Sequence, residues 1–298
     1  MPEGLIVKAL SGYYYVKPDS AASEDTVQCR GRGIFKKKGL TPLVGDRVIF
    51  TPTENGEGTV DELLPRETEL IRPPVANASL AVLLFSVREP DLNLQLLDKF
   101  LVHIEHAGLR ALICLTKGDL MDGYEDELIA GTVQLYERAG YEVFVTSSLE
   151  GRGMELVKEK LAGHISVFAG QSGVGKSSLL NAMLPGLTLE TSEISMRLGR
   201  GRHTTRHVEL IELGNGAYVA DTPGFSQLDF LELGVDELSP CFIEFAPYAE
   251  QCKFRGCSHL HEPACRVREA VESGAIAASR YEHYVEFYQE MKDKKRRY

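Results

Sequence analysis

The sequence has 298 residues, 33 of them basic and 43 acidic, giving a formal charge of −10 at pH 7, with six cysteines and no tryptophan. That length accommodates two or three domains, and the acidic balance excludes capture of nucleic acid by the field of the whole chain, so such a partner must be met by local basic patches. The opening Met1-Pro2-Glu3-Gly4-Leu5 lacks the basic and apolar regions of a signal peptide, and no later segment approaches membrane-spanning length; a soluble, cytoplasmic protein with no membrane partner is expected.

Residues 1–70 hold short alternating runs broken by turn residues: Leu5–Leu10, Tyr13–Val16, Thr26–Arg30, Asp46–Phe50 and Gly58–Val60. Five strands in that length predict a small β-barrel of the OB-fold type. Within it Arg30, Arg32, Lys36, Lys37 and Lys38, with Phe35 interleaved, suit phosphate contact and base stacking on RNA, against the plain alternative of a solvated loop. The double proline in Leu70–Pro74 reads as a linker.

From there to about residue 230 strands and helices alternate, which predicts a parallel sheet with helices on both faces over 71–230. Leu80–Phe85, Arg110–Leu115, Tyr141–Val145 and Ile165–Ala169 are the expected strands, with helices over 92–106, 127–139 and 154–161, and Val208–Leu213 with Ala217–Ala220 forms a hairpin. Residues 231–298 change composition again, with a helix expected over Cys241–Ala246 and a terminal one marked by Tyr281, Tyr284, Phe287, Tyr288 and Met291. A basic tail, Lys292–Tyr298, either meets RNA phosphate or frays in solvent.

The central motif is Gly170-Gln171-Ser172-Gly173-Val174-Gly175-Lys176-Ser177, a strand running into a G-x-x-x-x-G-K-S phosphate loop and then, from Ser178, a helix. Backbone N–H groups turned inward cradle phosphates, Lys176 reaches the β- and γ-phosphates, and the Ser177 hydroxyl ligates Mg²⁺. Thr116-Lys117-Gly118-Asp119 resembles the N-K-x-D signature of GTPases. Its aspartate accepts from both guanine N1–H and the exocyclic amine, donors that adenine does not present together, while Thr116 stands where asparagine is usual. Thr146-Ser147-Ser148 stands where a serine-containing loop backs the guanine carbonyl. Asp221-Thr222-Pro223-Gly224 resembles D-x-x-G, with Asp221 near Mg²⁺ and the Gly224 N–H on the γ-phosphate. In Gly201–Arg206 a threonine is expected to complete the Mg²⁺ shell, Thr205 first and Thr204 as the alternate.

The guanine motifs precede the phosphate loop, the reverse of the ordinary order, so the domain reads as circularly permuted. Phe225 occupies the place after the D-x-x-G glycine where many GTPases keep a water-orienting glutamine. Unaided hydrolysis is therefore expected to be slow, with His203 as a water-orienting residue or else a histidine that merely packs or faces solvent. Near the C-terminus, Cys252, Cys257 and Cys265 with His259 or His261 predict a closed, structural Zn²⁺ site, whereas Cys29, Cys114 and Cys241 read as packing residues.

A β-barrel, a permuted GTPase and a cysteine-rich tail, with G-Q-S-G-V-G-K-S, D-T-P-G-F and G-R-H-T-T, resemble the circularly permuted RsgA family, the small ribosomal subunit-dependent GTPases. The resemblance spans essentially the whole chain. It implies GTP and GDP as substrate and product, a histidine at the place of His203, His259 rather than His261 on zinc, and late maturation of the small subunit near its decoding region, with hydrolysis stimulated there. A monomer is expected. The competing reading is an RNA-binding module whose nucleotide site is mainly structural.

Overall fold

The computed structural model describes residues 1–20, 25–53, 56–71, 73–184, 208–221 and 233–295, without the side chains of Lys36, Tyr124, Glu125, Asp221 and residues 294–295. The first strands are β1 (Glu3–Leu10), β2 (Tyr13–Pro18) and β3 (Val27–Gly31), then a short helix α1 (Gly33–Lys37), β4 (Arg47–Pro52), β5 (Glu57–Leu63) and a hairpin of β6 (Glu69–Ile71) and β7 (Pro74–Ala76). Alternation follows: β8 (Leu80–Ser86), α2 (Leu94–His106), β9 (Arg110–Thr116), α3 (Tyr124–Ala139), β10 (Glu142–Val145), α4 (Met154–Leu161), β11 (Ile165–Ala169) and α5 (Lys176–Met183). A second hairpin, β12 (Glu209–Gly214) and β13 (Ala217–Asp221), precedes the helices α6 (Ala246–Ala249), α7 (Arg266–Glu272) and α8 (Ala278–Lys295).

The chain packs as two compact units, Met1–Val82 with Met154–Ala169 and Lys176–Phe225, and Leu83–Gly153 with Gly170–Gly175 and Ser226–Tyr298. In the first unit the barrel closes as expected: β1 pairs with β2 and β4, β2 with β3, and β5 with β3 and β4. Alternation sends Ile6, Val16, Cys29, Val48, Phe50 and Val60 inward, where all are buried. The prolines near residue 73 do not mark a free linker. Pro74, which has no N–H to donate, starts β7, Val75 bridges to Val44, and the Ala76 N–H donates to the Val44 carbonyl at 2.9 Å.

Beyond the barrel, β12 pairs antiparallel with β1, placing Lys8 opposite Glu209, and with β13, placing Glu209 opposite Asp221. The β13 strand in turn runs parallel to β11. The register sets barrel residue Lys8 and the first residue of the D-x-x-G motif in one row across three strands. Lys8 also bonds the Glu209 carboxylate at 2.9 Å.

In the second unit β10 runs parallel to β9, with β8 beside it. Helix α2 starts where the Asn93 side chain accepts from the Leu96 N–H at 2.9 Å, and its Leu97, Leu101 and Ile104 recur at helical spacing and are buried. The helix expected over Cys241–Ala246 is instead two 3₁₀ turns, Ser239–Cys241 and Ile243–Phe245, broken at Phe242. Phe242 leaves the helical region so that its ring can stack on Phe245 at 5.1 Å and meet Tyr284 edge-on at 5.3 Å.

One buried cation holds this region. Arg280 of α8 is 2 % exposed and donates to Asp98 of α2 at 2.6 Å and to both oxygens of Glu244 at 2.7 and 2.8 Å. Its guanidinium lies over Phe242 at 4.8 Å and over Tyr136 and Tyr141 at 5.6 Å. Burial works against its charge, but Asp98 and Glu244 outweigh that cost and hold it firmly protonated. Arg280→Ala strands two buried carboxylates and should cost about 3–5 kcal/mol in urea unfolding, whereas Lys8→Ala, at a half-exposed pair, should change stability by less than about 1 kcal/mol. Equal effects from the two would show that the triad is not what holds the C-terminal helices.

Candidate nucleotide site and metal centre

The T-K-G-D and T-S-S turns lie at adjacent strand ends, as parallel pairing of β9 with β10 requires. The Thr146 N–H donates to Leu115 O at 2.8 Å and the Gly118 N–H to Thr146 O at 2.9 Å, so Thr146 works through its backbone. A β-carbon at Gly118 would lie 2.9 Å from Val145 Cγ1 and 3.3 Å from the Thr146 carbonyl, so a larger residue would force Val145 to shift. Lys117 takes a left-handed backbone, φ +57°, and its ammonium bonds the Glu89 carbonyl. Ser147 donates to Asp119 Oδ1 at 2.5 Å and accepts from the Glu150 N–H at 3.1 Å. One carboxylate oxygen is thereby held by a neighbouring hydroxyl, which fixes the direction of the group. Ser148 is half-buried beside them.

Thr116 is 3 % exposed, and its hydroxyl donates to the carbonyl of Val174 at 2.5 Å, with Phe85 O at 3.3 Å. It therefore ties the Thr116–Asp119 turn to the loop that begins at Gly170. The loop leaves β11 at Gly170, φ +148°, where a β-carbon would lie 2.2 Å from Leu84 O; only glycine allows the approach. Val174 is buried and anchors the loop, while Ser172 and Gly173 are exposed and Gln171 and Gly175 half-buried. At the start of α5, Lys176, Ser177 and Ser178 are half-buried, and burial pulls the Lys176 pKa below its usual value.

Strand β13 ends at Asp221, whose side chain is not described. His203, Thr204, Thr205, Gly224 and Phe225 lie outside the described residues.

Cys252, Cys257, His259 and Cys265 converge, with all ligand atoms within 4.8 Å of one another. Cys252 Sγ lies 4.0 Å from Cys265 Sγ and 3.7 Å from His259 Nδ1, which is 3.4 Å from Cys265 Sγ. A tetrahedral zinc with Zn–S about 2.3 Å and Zn–N about 2.0–2.1 Å needs sulfurs about 3.8 Å apart and sulfur to nitrogen about 3.5 Å. The four residues fit that ion. His261 is exposed and outside the cluster. Burial lowers the His259 pKa, favouring the neutral ring that binds metal. Glu262, which the sequence reading passed over, braces the turn. Its carboxylate accepts from Ser258 N at 2.8 Å, Ser258 Oγ at 2.7 Å and Leu260 N at 3.2 Å. Burial alone would raise its pKa, but the Ser258 hydroxyl and the backbone N–H groups of Ser258, Glu262 and His261 hold it down at about 2.

On the barrel, Arg30 lies 4.8 Å over the Tyr13 ring and donates to its hydroxyl, and Arg32 pairs with Asp61 at 2.8 Å. Lys37 and Lys38 are exposed. Phe35 is not a stacking surface: helix α1 turns its ring into the barrel, leaving it 6 % exposed. The aromatic beside the basic patch is Tyr13, opposite Arg30 in register, a cross-strand relation that sequence spacing does not show.

A family model described as RsgA GTPase matches residues 63–231, and one described as RsgA N-terminal domain matches residues 3–60. A protein of Geobacillus kaustophilus named small ribosomal subunit biogenesis GTPase RsgA is 54 % identical over 299 residues, covering all of both chains. A Bacillus cytotoxicus protein of the same name is 51 % identical over 298 residues, again covering all of both. Among solved structures, YloQ, described as a circularly permuted GTPase, superposes with a TM-score of 0.85 at 45 % identity, covering 99 % of this chain and 96 % of its own. YjeQ from Thermotoga maritima gives 0.87 at 38 % identity, covering 97 % and 98 %.

Two measurements test the assigned geometry. Thr116→Val keeps the shape and removes the donor, so it should weaken binding of a fluorescent GDP about five- to tenfold, the worth of one buried hydrogen bond; wild-type affinity would show that the tie to Val174 is dispensable. Elemental analysis should find about one zinc per chain, lost in Cys265→Ala together with the near-UV signal of the tyrosine-rich C-terminal core. A folded, zinc-free wild type would remove the metal centre.

Proposed function

The chain belongs to the RsgA GTPase family, and on that premise we propose that it hydrolyses GTP on the small ribosomal subunit as a late assembly factor, its nucleotide state controlling attachment and release. The observation that carries this reading is the fixed Asp119 carboxylate, held by Ser147 within a turn that Thr116 ties to the phosphate loop. A carboxylate aimed in this way selects guanine over adenine.

In this reading Asp119 accepts from the guanine edge, Lys117 covers the base, and the Thr146–Ser148 turn meets the guanine carbonyl. Residues 170–178 hold the phosphates, with Lys176 on the β- and γ-phosphates and the Gly224 N–H on the γ-phosphate. Ser177, Asp221 and Thr205 would hold Mg²⁺, which neutralises charge on the phosphates when bound. His203 orients the attacking water, and Phe225 leaves unaided turnover slow. The division assigned is a barrel over 1–70, the permuted GTPase domain over 71–230 and a zinc-binding helical domain over 231–298. Arg30, Arg32 and Lys36–Lys38 are assigned to rRNA phosphate. The protein acts as a cytoplasmic monomer. No helix among the described residues is long and apolar enough to cross a membrane.

GTP turnover measured alone, with small subunits and with large subunits should rise at least about tenfold with the small subunit only, since a partner that completes a GTPase site contributes at least that much. Equal turnover in all three would overturn the assignment of the subunit as activator. Lys176→Ala should abolish stimulated turnover and leave the protein on the mature subunit; if it departs as readily as wild type, the nucleotide site is structural. Unchanged stimulated turnover in His203→Ala would remove that residue from the mechanism.

A further inference from the structure

The loop between the first two metal-site cysteines has a composition that the cluster itself does not require. Cys252 and Cys257 fix its ends, and Lys253, Phe254, Arg255 and Gly256 between them are all exposed. Phe254 is 44 % exposed, and among the described residues it is the one phenylalanine or tyrosine in that state; every other described ring is buried or half-buried. The Lys253 ammonium stands 5.6 Å from the centre of its ring. From Gln251 to His261 the sequence holds no carboxylate, although the chain as a whole carries −10. The nearest, Glu262, spends its oxygens on Ser258 and Leu260.

An exposed apolar ring between two cations in sequence lies outside the core cluster, whose rings Phe242, Phe245 and Tyr284 pack without it. A loop pinned at both ends presents such a ring at little entropic cost to a ligand. The ligand must offer a flat apolar face with negative charge on both sides. An unpaired nucleotide in RNA offers both, whereas a duplex keeps its base faces stacked. A purely apolar protein groove would take the ring but make no use of Lys253 and Arg255.

We propose that the Lys253-Phe254-Arg255 tip is a stacking site for an unpaired RNA base, with Phe254 under the base and Lys253 and Arg255 on the flanking phosphates. The choice of RNA rests on the ribosomal reading above.

The absence of tryptophan from the chain makes the test direct, because Phe254→Trp introduces a single reporter at the tip. Full-length, zinc-replete Phe254→Trp is titrated with a fluorescein-labelled single-stranded RNA 12-mer of mixed sequence, reading indole emission and label anisotropy together. Emission should be quenched with the same midpoint as the anisotropy, and a 12-base-pair duplex should leave it unchanged. Phe254→Ala and Phe254→Leu should each raise Kd about tenfold, within the range found for removing one stacking ring. Removing Lys253 and Arg255 together should flatten the slope of log K against log salt by about 1.4, or about 0.7 per phosphate contact on a single strand.

Anisotropy that reports a complex while indole emission stays constant would overturn the proposal, as would failure of the 12-mer to bind. Wild-type affinity in Phe254→Leu would do the same and point to an apolar protein contact instead. Zinc content of each variant separates a binding defect from a folding one. Stimulation of wild-type GTP turnover by small subunits distinguishes the two readings: stimulation with no quenching sinks only the stacking site, and no stimulation sinks the ribosomal reading with it.

Discussion

The hydrogen bond from the Thr116 hydroxyl, at the end of β9, to the Val174 carbonyl joins two stretches of backbone that leave the strand ladder. One is the turn after β9 that carries Lys117 and Asp119; the other is the loop that begins at Gly170. In a buried setting such a bond is electrostatically strong, and either group left unpaired would be costly. Gly170 completes the arrangement by letting the loop pass within 2.2 Å, measured to a hypothetical β-carbon, of the Leu84 carbonyl. The Asp119 carboxylate is the end of a short chain of contacts, from Glu150 N–H to Ser147 Oγ to Asp119. The Ser147 hydroxyl that holds it is itself fixed by a backbone N–H.

The same half of the molecule owes its C-terminal region to charge burial. Arg280 sits among three aromatic rings and two carboxylates, and Asp98 takes two further partners, the Tyr136 hydroxyl at 2.7 Å and His283 Nδ1 at 2.5 Å. Such a cluster is a poor source of net stability and a strict specifier of position, since desolvation offsets most of the attraction unless every donor and acceptor is matched. Here Asp98 belongs to α2, so the C-terminal helices are registered against a helix that follows β8 directly. The cysteine cluster lies in that same packed region, with Phe245 and Tyr284 against His259.

In the other unit the barrel is joined to its neighbours by strand pairing rather than by side chains alone. The pairing of β1 with β12 continues into β13, the strand that ends at Asp221. Lys17 adds an ion pair to Glu212 and lies 5.9 Å over the Tyr218 ring, so both strands of the hairpin touch barrel residues. A β-ladder resists sliding because a one-residue slip would turn every side chain to the wrong face. The barrel and the D-x-x-G strand consequently share one register.

The sequence by itself determined most of the element order, the strand, loop and helix around Gly170–Ser177 and the three cysteines of the metal cluster, because each is a local pattern; it left His259 and His261 open as the fourth ligand. Strand alternation in 1–70 was enough for the barrel, and the order of the motifs was enough for the permuted arrangement. Tertiary structure decided what depends on partners distant in sequence. It put Phe35 inside the barrel and Tyr13 beside Arg30, made a paired hairpin of the supposed linker, and broke the helix over Cys241–Ala246 so that Phe242 could reach Tyr284. It also gave Thr116 its acceptor 58 positions away and Arg280 its carboxylate 182 positions away. Periodicity and motif spacing report which face a residue belongs to. Only the closed packing of the chain fixes which donor meets which acceptor, because that is settled by volume and desolvation over the whole core.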